Sequence, residues 1–191
     1  ITVTAATISL RITATGDTDE HCDALIAATR QQIMDLVGEL HFGDGEDFEQ
    51  QHALDASLRI RGESMMVVEL GRAAPLGDWF AALGPTPAFR CGISLAERTD
   101  LLALAGHDDF DRAVDSLRRR FRADWLLLVD EYPSLSAKDG GPAAAQEVKI
   151  VLLGSDGKRY PTRVALGGHP AILQQRIAKA AMAWMRKVLR D

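Results

Sequence analysis

Residues Ser64 to Leu83 read SMMVVELGRAAPLGDWFAAL and change from one kind of secondary structure to another. An apolar run rich in β-formers, as in a buried strand, breaks at Glu69-Leu70-Gly71-Arg72. A helical pattern opens at Pro75. In α/β enzymes such a strand-to-helix turn often holds a nucleophile or a phosphate, because unpaired backbone N–H groups point outward there. The stretch therefore predicts an α/β fold with a candidate site at this turn.

The same alternation of strand and helix continues from about residue 48 to the end of the chain. The apolar run from Trp125 to Val129 indicates a central strand that is covered on both faces. Asp156-Gly157 indicates the turn of a hairpin over residues 145–167. Residues 46–191 are therefore predicted to form a three-layer α/β/α domain with a mixed sheet. The other predicted strands cover residues 64–70 and 89–97, and the helices cover residues 48–62, 75–84, 110–124 and 169–191.

Residues 1–45 are predicted to form a small β-α-β unit. Alternating apolar and polar residues indicate a strand over residues 7–16. Asp17 and Glu20 have the spacing of a capping box, and the helix behind them carries one apolar stripe, made of Cys22, Leu25, Ile26, Ile33, Leu36 and Val37. A short strand and an acidic, glycine-rich turn follow at residues 39–47, and this turn is the predicted linker.

Composition and charge exclude several classes of protein. The chain has 191 residues, of which 47% are apolar and 26% charged, with a net charge of −5. These values do not favour a nucleic-acid binder held by phosphate contacts. Cys22 and Cys91 are too far apart in sequence for a zinc knuckle or a disulfide framework. No apolar run approaches the roughly 18 residues that a membrane span needs. We therefore expect a cytoplasmic protein, and the start at Ile1 suggests an upstream domain of a longer protein.

Charged residues at the ends of the predicted strands are candidates for ligand binding. Arg72 has the guanidinium group that binds a phosphate or carboxylate bidentately, although a solvated loop arginine is the alternative. Asp130 and Glu131 end the most buried strand, where clefts of α/β proteins open. Because neighbouring strand residues point to opposite faces, only one of these two carboxylates is expected to line a given pocket. A cap or a surface carboxylate is the alternative for Asp130.

Other clusters of polar residues are better explained by helix structure than by a site. His107 lies beside acidic residues in GHDDFD, but acidic residues at a helix start are favoured by capping and by the macrodipole. The five histidines include no pair at the spacing of a helical zinc site, so no metal is predicted. The basic cluster of Arg118, Arg119, Arg120 and Arg122 is read as a solvated helix face, with a weak anionic contact as the alternative.

Four strings in this order resemble the CinA family, the competence/damage-inducible proteins whose C-terminal domain includes nicotinamide mononucleotide deamidases. Residues 8–47 are similar to the second half of the family's KH-like domain. Residues 58–83, with VELGRAAP, resemble the segment where members carry E-S-C-T-G-G. Residues 89–106 (FRCGISLAERTDLLALAG) resemble F-x-G-G-x-x-x-Y-S-N-x-x-K, and residues 125–141 resemble a strand that ends in T-G-x-A-G-P-x-G-G. The likeness spans most of the chain.

The resemblance fails at the positions that would carry the chemistry. Glu69 and Gly92 match the family pattern. The family's cysteine falls on Gly71, and its serine, tyrosine, lysine and threonine fall on Leu70, Ala96, Leu101 and Asp130. Hydrolysis of an amide needs a nucleophile or an activated water, and leucine supplies neither. The resemblance therefore implies a degenerate deamidase, in which we expect the backbone N–H groups after Pro75 to remain available.

Three functions are compatible with these observations. The leading hypothesis is a pseudoenzyme with a structural, regulatory or ligand-binding role, whose candidate ligand is a nucleotide-like small molecule. The alternative is an active amidohydrolase in which Asp130 or Glu131 activates a water and Arg72 anchors an anionic group. Glu69 is a further candidate for ligand binding. The third is a homo-oligomerisation module. No cofactor is expected, and no nucleic acid, because residues 1–45 lack the Gly-x-x-Gly loop of KH domains.

Overall fold

The computed structural model describes residues 1–4, 6–133 and 143–190. The chain divides into two compact units, Ile1–Glu49 and Gln50–Asp191. The larger unit contains the elements α2 (Gln50–Arg61), β3 (Met65–Leu70), α3 (Pro75–Ala81), β4 (Phe89–Leu95), α4 (Arg98–Ala105), α5 (Phe110–Arg120), β5 (Trp125–Asp130), β6 (Ala143–Leu153), β7 (Arg159–Gly168) and α6 (Pro170–Arg190).

The larger unit is built on a five-stranded mixed sheet in the order β4-β3-β5-β6-β7. Strand β3 runs parallel to β4 and β5. Strand β6 is antiparallel to its two neighbours, β5 and β7. The sheet is therefore parallel from β4 to β5 and antiparallel from β5 to β7. The turn between β6 and β7 contains Gly157 with a φ of +80°, in agreement with the predicted Asp-Gly hairpin. The predicted α/β fold with a mixed sheet is confirmed.

The sheet separates two apolar cores, because neighbouring side chains of each buried strand point to opposite faces. On the first face, Met65 and Val67 of β3 pack with buried residues of α2, α3 and α6. On the second face, Met66, Val68 and Leu70 pack with buried residues of α4 and α5. Helices therefore cover both faces of the sheet, and the three-layer arrangement is as predicted.

The carboxyl ends of β3, β4 and β5 lie at one edge of the sheet, because the three strands are parallel. Backbone hydrogen bonds continue beyond the strand ends. Tyr132 N–H donates to the Leu70 carbonyl at 2.8 Å, and Gly71 N–H donates to the Leu95 carbonyl at 3.0 Å. The turns that follow the three strands are thus tied together, and the predicted site residues lie in these turns or at the ends of β3 and β5.

A close contact between two glycines fixes helix α3 against the edge strand β4. A Cβ atom added to Gly92 would lie 2.8 Å from the Cα atom of Gly77, whereas a Cβ atom on Gly77 would meet nothing nearer than 3.5 Å. The helix therefore approaches the strand over a position that leaves no room for a side chain on the strand.

Gly92→Ala is expected to lower the free energy of unfolding by about 1 to 3 kcal/mol, because α3 must shift to admit the methyl group. Gly77→Ala is the matched control. It places a methyl group on the other side of the same contact, 3.6 Å from the Cα atom of Gly92, which is an ordinary van der Waals distance. Alanine is also more favourable than glycine in a helix by up to about 1 kcal/mol. Urea unfolding followed by tryptophan fluorescence measures both variants. Equal stability of Gly92→Ala and the unchanged protein would contradict this packing.

The small unit differs from its predicted β-α-β order. Strand β1 (Thr2–Thr4) pairs antiparallel with β2 (Thr7–Ser9), and helix α1 (Asp19–Val37) follows, so the order is β-β-α. The predicted strand over residues 7–16 ends at Ser9, because β1 offers only three residues for pairing. Residues 39–47 form turns and irregular backbone instead of a strand, and the Phe48 ring occupies the space beside Gly43.

Helix α1 also starts and packs differently from the prediction. Its N-cap is Thr18, whose side chain accepts the His21 N–H at 3.2 Å, in place of the predicted Asp17. None of the residues of α1 is buried, and Leu36 is 84% exposed. The predicted inward stripe fails because the two three-residue strands of this unit offer too little surface to cover it.

Among the described helices, none is long and apolar enough to cross a membrane.

Candidate functional site

The position predicted to have lost the nucleophile lies inside an apolar core. Leu70 is fully buried in the cluster on the second face of the sheet. Leu101, where the resemblance expects a lysine, is fully buried in the same cluster. Ala96, in the place of the expected tyrosine, is half-buried. Two positions that would carry polar chemistry are therefore part of the hydrophobic packing that joins β3 to α4.

Glu69 points to the opposite face and closes the start of helix α3. Its Oε1 atom accepts the Leu76 N–H at 3.0 Å and its Oε2 atom accepts the Gly77 N–H at 2.9 Å. The Tyr132 hydroxyl donates to Oε1 at 2.9 Å. Because Ala74 at the N-cap has no side-chain oxygen, the carboxylate of Glu69 does the capping.

These contacts overturn the expectation that the N–H groups after Pro75 are available to a ligand. The Leu76 and Gly77 N–H groups donate to Glu69, and the Asp78 N–H donates to the Ala74 carbonyl. A side chain of the protein itself thus occupies the position that a bound anion takes at other helix starts.

Burial changes the acidity of this pair of side chains. Glu69 is 1% exposed, and burial raises its pKa above its ordinary value, although the three donors partly oppose the shift. Burial, together with the neighbouring Glu69 carboxylate, raises the pKa of Tyr132 well above its ordinary value. The tyrosine therefore remains a proton donor to Glu69 across the physiological pH range.

The rest of the turn, residues 72–74, differs in burial from one residue to the next. Ala73 is buried and Ala74 is half-buried. Arg72 is exposed and adopts a left-handed φ of 59°, with its N–H donating to the Leu95 carbonyl at 3.2 Å. The Ser94 hydroxyl donates to the Ala73 carbonyl at 2.8 Å. The Ser94 hydroxyl is therefore used in a hydrogen bond to the backbone of the turn, and we do not assign it the role of the missing nucleophile.

Among the described residues that form ion pairs, Asp130 has the most buried carboxylate. Its side chain is 1% exposed and accepts two hydrogen bonds from Arg98, from Nε at 2.9 Å and from Nη2 at 2.6 Å. The guanidinium group also lies 5.1 Å from the centre of the Phe110 ring. The bond to Asp130 raises the pKa of Arg98 above its already high ordinary value. The pair is held in the bidentate geometry that favours arginine over lysine.

Arg98 was not predicted as a site residue, because the sequence pattern did not reveal helix α4. The helix spans only Arg98–Ala105, too short for a clear apolar period. A signal was present at its start. Glu97 and Asp100 form a reciprocal capping box, the spacing that marks a helix N-terminus.

Asp130 and Glu131 both line a cavity of about 400 Å³ at the carboxyl edge of the sheet. The expectation that only one of them lines a given pocket is therefore wrong, because β5 ends at Asp130 and Glu131 has a left-handed φ of 70°, so the alternation of a strand does not reach it. Glu69 and Arg72 are not among its lining residues, so the structure does not bring all four predicted ligand-binding residues together. The charged lining comes from four elements and their ends: Arg98, Asp130, Glu131, Glu147, Lys149 and Arg163. The part of the third family-like motif that covers residues 134–141 lies outside the described residues.

The other polar clusters behave mainly as helix structure. Asp109 caps α5 by accepting the Arg112 N–H at 2.8 Å, which confirms the capping interpretation of GHDDFD. Arg118 is buried rather than solvated and donates to Asp115 and to the Ala123 carbonyl. The basic cluster is therefore partly a packing feature. Within the described ranges, no group of three histidine, cysteine or acidic residues is placed to hold a metal ion.

Comparisons with known proteins agree with this structure. Residues 1–43 match the model of the damage-inducible protein CinA KH domain. No curated protein matches the chain by sequence. The competence or damage-inducible protein from Enterobacter asburiae is 14% identical with a TM-score of 0.59, over 74% of this chain and 96% of that chain. The competence damage-inducible protein A from Klebsiella pneumoniae is 19% identical with a TM-score of 0.56, over 74% and 98%.

A CinA superfamily protein from Escherichia coli gives the same result, with 13% identity, a TM-score of 0.55 and coverage of 80% of this chain and 98% of that chain. At these identities the solved structures show the fold. The KH segment and the fold together confirm the predicted resemblance to the CinA family.

Proposed function

We propose that this CinA-like chain has kept the fold of the CinA C-terminal domain without its deamidase reaction, and that it acts as a ligand-binding domain. The observation that carries the proposal is the burial of Leu70 and Leu101 in one apolar cluster. At the aligned positions the resemblance expects a serine and a lysine. Two leucines in contact with a core supply no nucleophile and no proton donor.

The turn after β3 supports the proposal from its other side. An anion-binding site at the start of α3 would need free N–H groups, and Glu69 accepts those of Leu76 and Gly77. Stabilisation of a developing oxyanion by these donors would require the buried carboxylate to leave first. The turn is thus organised for the stability of the domain.

The remodelled amidohydrolase is less favoured by the geometry of Asp130. Both carboxylate oxygens accept hydrogen bonds from Arg98. A general base needs an oxygen free to take a proton from water, so this role would require the ion pair to open. The predicted nucleotide-like ligand and the predicted homo-oligomer remain predictions.

The purified chain is expected to release ammonia from nicotinamide mononucleotide no faster than buffer without protein does. Loss of catalytic groups that act as a unit costs on the order of a million-fold in kcat, which places turnover below detection. An active CinA deamidase, assayed in parallel for ammonia and nicotinate mononucleotide, shows that the assay works. Turnover that is abolished by Asp130→Ala would overturn the proposal and favour the amidohydrolase.

A further inference from the structure

Among the described residues, three cationic and three anionic side chains line the cavity at the carboxyl edge, and their formal charges balance. Two opposite pairs are already formed within it. Arg98 holds Asp130, and Arg163 Nη1 lies 2.6 Å from Glu147 Oε1. These pairs satisfy four of the six charges and define the walls of the cavity.

Lys149 and Glu131 are the two charges left over. Among the described residues, neither forms an ion pair within 4.0 Å or a side-chain hydrogen bond, although the charge of Glu131 contributes to the raised pKa of Arg98. Both side chains are exposed at the cavity. The Lys149 ammonium group and the Glu131 carboxylate thus face the same cavity, and neither has an ion-pair partner in the part of the chain that the structure describes.

The sheet register places these two groups close together in the backbone. Lys149 of β6 lies opposite Asp130 of β5 and opposite Arg163 of β7. Directly opposed residues of antiparallel strands have Cα atoms about 5 Å apart and side chains on the same face. Glu131 follows Asp130 directly, and both Glu131 and Lys149 line the cavity.

The backbone at Glu131 is strained. Its φ of 70° lies in the left-handed region, which costs a non-glycine residue roughly 1 to 2 kcal/mol. Strain of this kind is concentrated at ligand sites, where it fixes the direction of a side chain. Here it turns the chain away from β5 at the rim of the cavity and presents an acidic residue there.

We propose that this cavity binds a small zwitterion of the amino-acid class, with its carboxylate on Lys149 and its ammonium group on Glu131. A dipolar ligand can form an ion pair with Lys149 and another with Glu131, and it adds no net charge to the described lining, whose charges balance. A multiply charged anion would instead face three carboxylates. The inference rests on the proposed function, since it names the ligand of a domain that binds without hydrolysis. The volume of about 400 Å³ is within the range of small-molecule sites.

The test is a titration of the full chain with matched probes, followed by amide chemical shifts in NMR. The panel holds the common L-amino acids and 4-aminobutyrate as zwitterions. Butyrate and butylamine each carry one of the two charges, and inorganic phosphate tests a simple anion. We expect at least one zwitterion to give saturable shifts at Arg98, Asp130 and Lys149, at concentrations where butyrate, butylamine and phosphate give none.

Variants of the two free charges assign the contacts. Lys149→Met and Glu131→Gln each keep the size of the side chain and remove its charge. Each is expected to weaken the zwitterion about ten- to a hundredfold, the effect of one charge-assisted hydrogen bond. Lys158→Met is the matched control, because Lys158 is an exposed lysine that pairs with Asp156 in the β6–β7 turn and does not line the cavity. It should bind as the unchanged protein does.

Three results would overturn the inference: no saturable binding by any zwitterion, equal binding of butyrate or phosphate, or binding that survives both Lys149→Met and Glu131→Gln. Each is distinct from failure of the proposed function, which is measured by ammonia release. A chain that fails to bind zwitterions and also fails to release ammonia leaves the proposed loss of catalysis intact.

Discussion

Replacing Gly71 by alanine is expected to lower the free energy of unfolding of the larger unit by about 3 to 5 kcal/mol. Gly71 has a φ of +93°, and an added Cβ atom would lie 2.6 Å from the Tyr132 carbonyl oxygen and 2.7 Å from the Tyr132 nitrogen. Those atoms are backbone, and the Tyr132 N–H donates to the Leu70 carbonyl. Relief of the clash therefore requires the turns after β3 and β5 to separate.

The effect is measured by urea unfolding with tryptophan fluorescence, which reports the larger unit because Trp79, Trp125 and Trp184 all lie in it. Gly84→Ala is the matched control. Gly84 has a φ of +77°, but its added Cβ atom meets nothing within 4 Å, so only the left-handed strain of roughly 1 to 2 kcal/mol applies. If Gly71→Ala cost no more than Gly84→Ala, the close approach of Tyr132 would be wrong.

The same contact bears on the lost reaction. The resemblance places a cysteine at Gly71, and any side chain there meets the Tyr132 backbone in this conformation. A cysteine at this position would therefore require a different conformation of the turn. Restoration of Leu70→Ser alone would place a hydroxyl in the apolar cluster, not beside a set of oxyanion donors.

The fold of the larger unit follows from local patterns. The apolar runs over residues 65–68 of β3 and residues 125–129 of β5 predict central strands, because a strand that is buried on both faces is apolar at successive positions. The small unit was harder to predict, because the alternation over residues 7–16 carries no information about the length of the partner strand. Helix α4 escaped prediction because eight residues hold too few turns to show a period.

For the candidate site, the sequence tells which side chains are present but does not tell which of them are in contact. The absence of a nucleophile at Leu70 is visible in the sequence, since side-chain chemistry needs no structure. The partners of the charged residues are not visible. Glu69 meets Tyr132 across 63 positions of sequence, and Arg98 meets Asp130 across 32. Such pairs depend on which strands are neighbours, and a single sequence does not specify that order.

Glu69→Ala is expected to lower the free energy of unfolding by about 3 to 5 kcal/mol at neutral pH, since it leaves three buried or part-buried donors without their acceptor. These donors are the N–H groups of Leu76 and Gly77 and the hydroxyl of Tyr132. Tyr132→Phe removes one donor and leaves the helix cap, so a loss of only about 1 kcal/mol is expected from the missing hydrogen bond. Urea unfolding measures both variants.

Glu147→Ala is the matched control for the same substitution at an exposed ion pair, whose Glu147 and Arg163 side chains are 58% and 67% exposed. Exposed pairs contribute about 1 kcal/mol or less, so this variant should remain near the unchanged protein. A cost for Glu69→Ala as small as that of Glu147→Ala would contradict the capping role of Glu69.

Stability should also depend on pH through Glu69, with a sign set by its raised pKa. The folded chain holds the Glu69 proton to a higher pH than the unfolded chain does. The raised pKa therefore adds to the free energy of unfolding in full below the ordinary pKa of glutamate, and this addition is lost as pH rises through the raised pKa. The difference in unfolding free energy between the unchanged protein and Glu69→Gln should shrink over that window. A difference that grows with pH would show that the three donors outweigh burial and that the pKa of Glu69 is lowered.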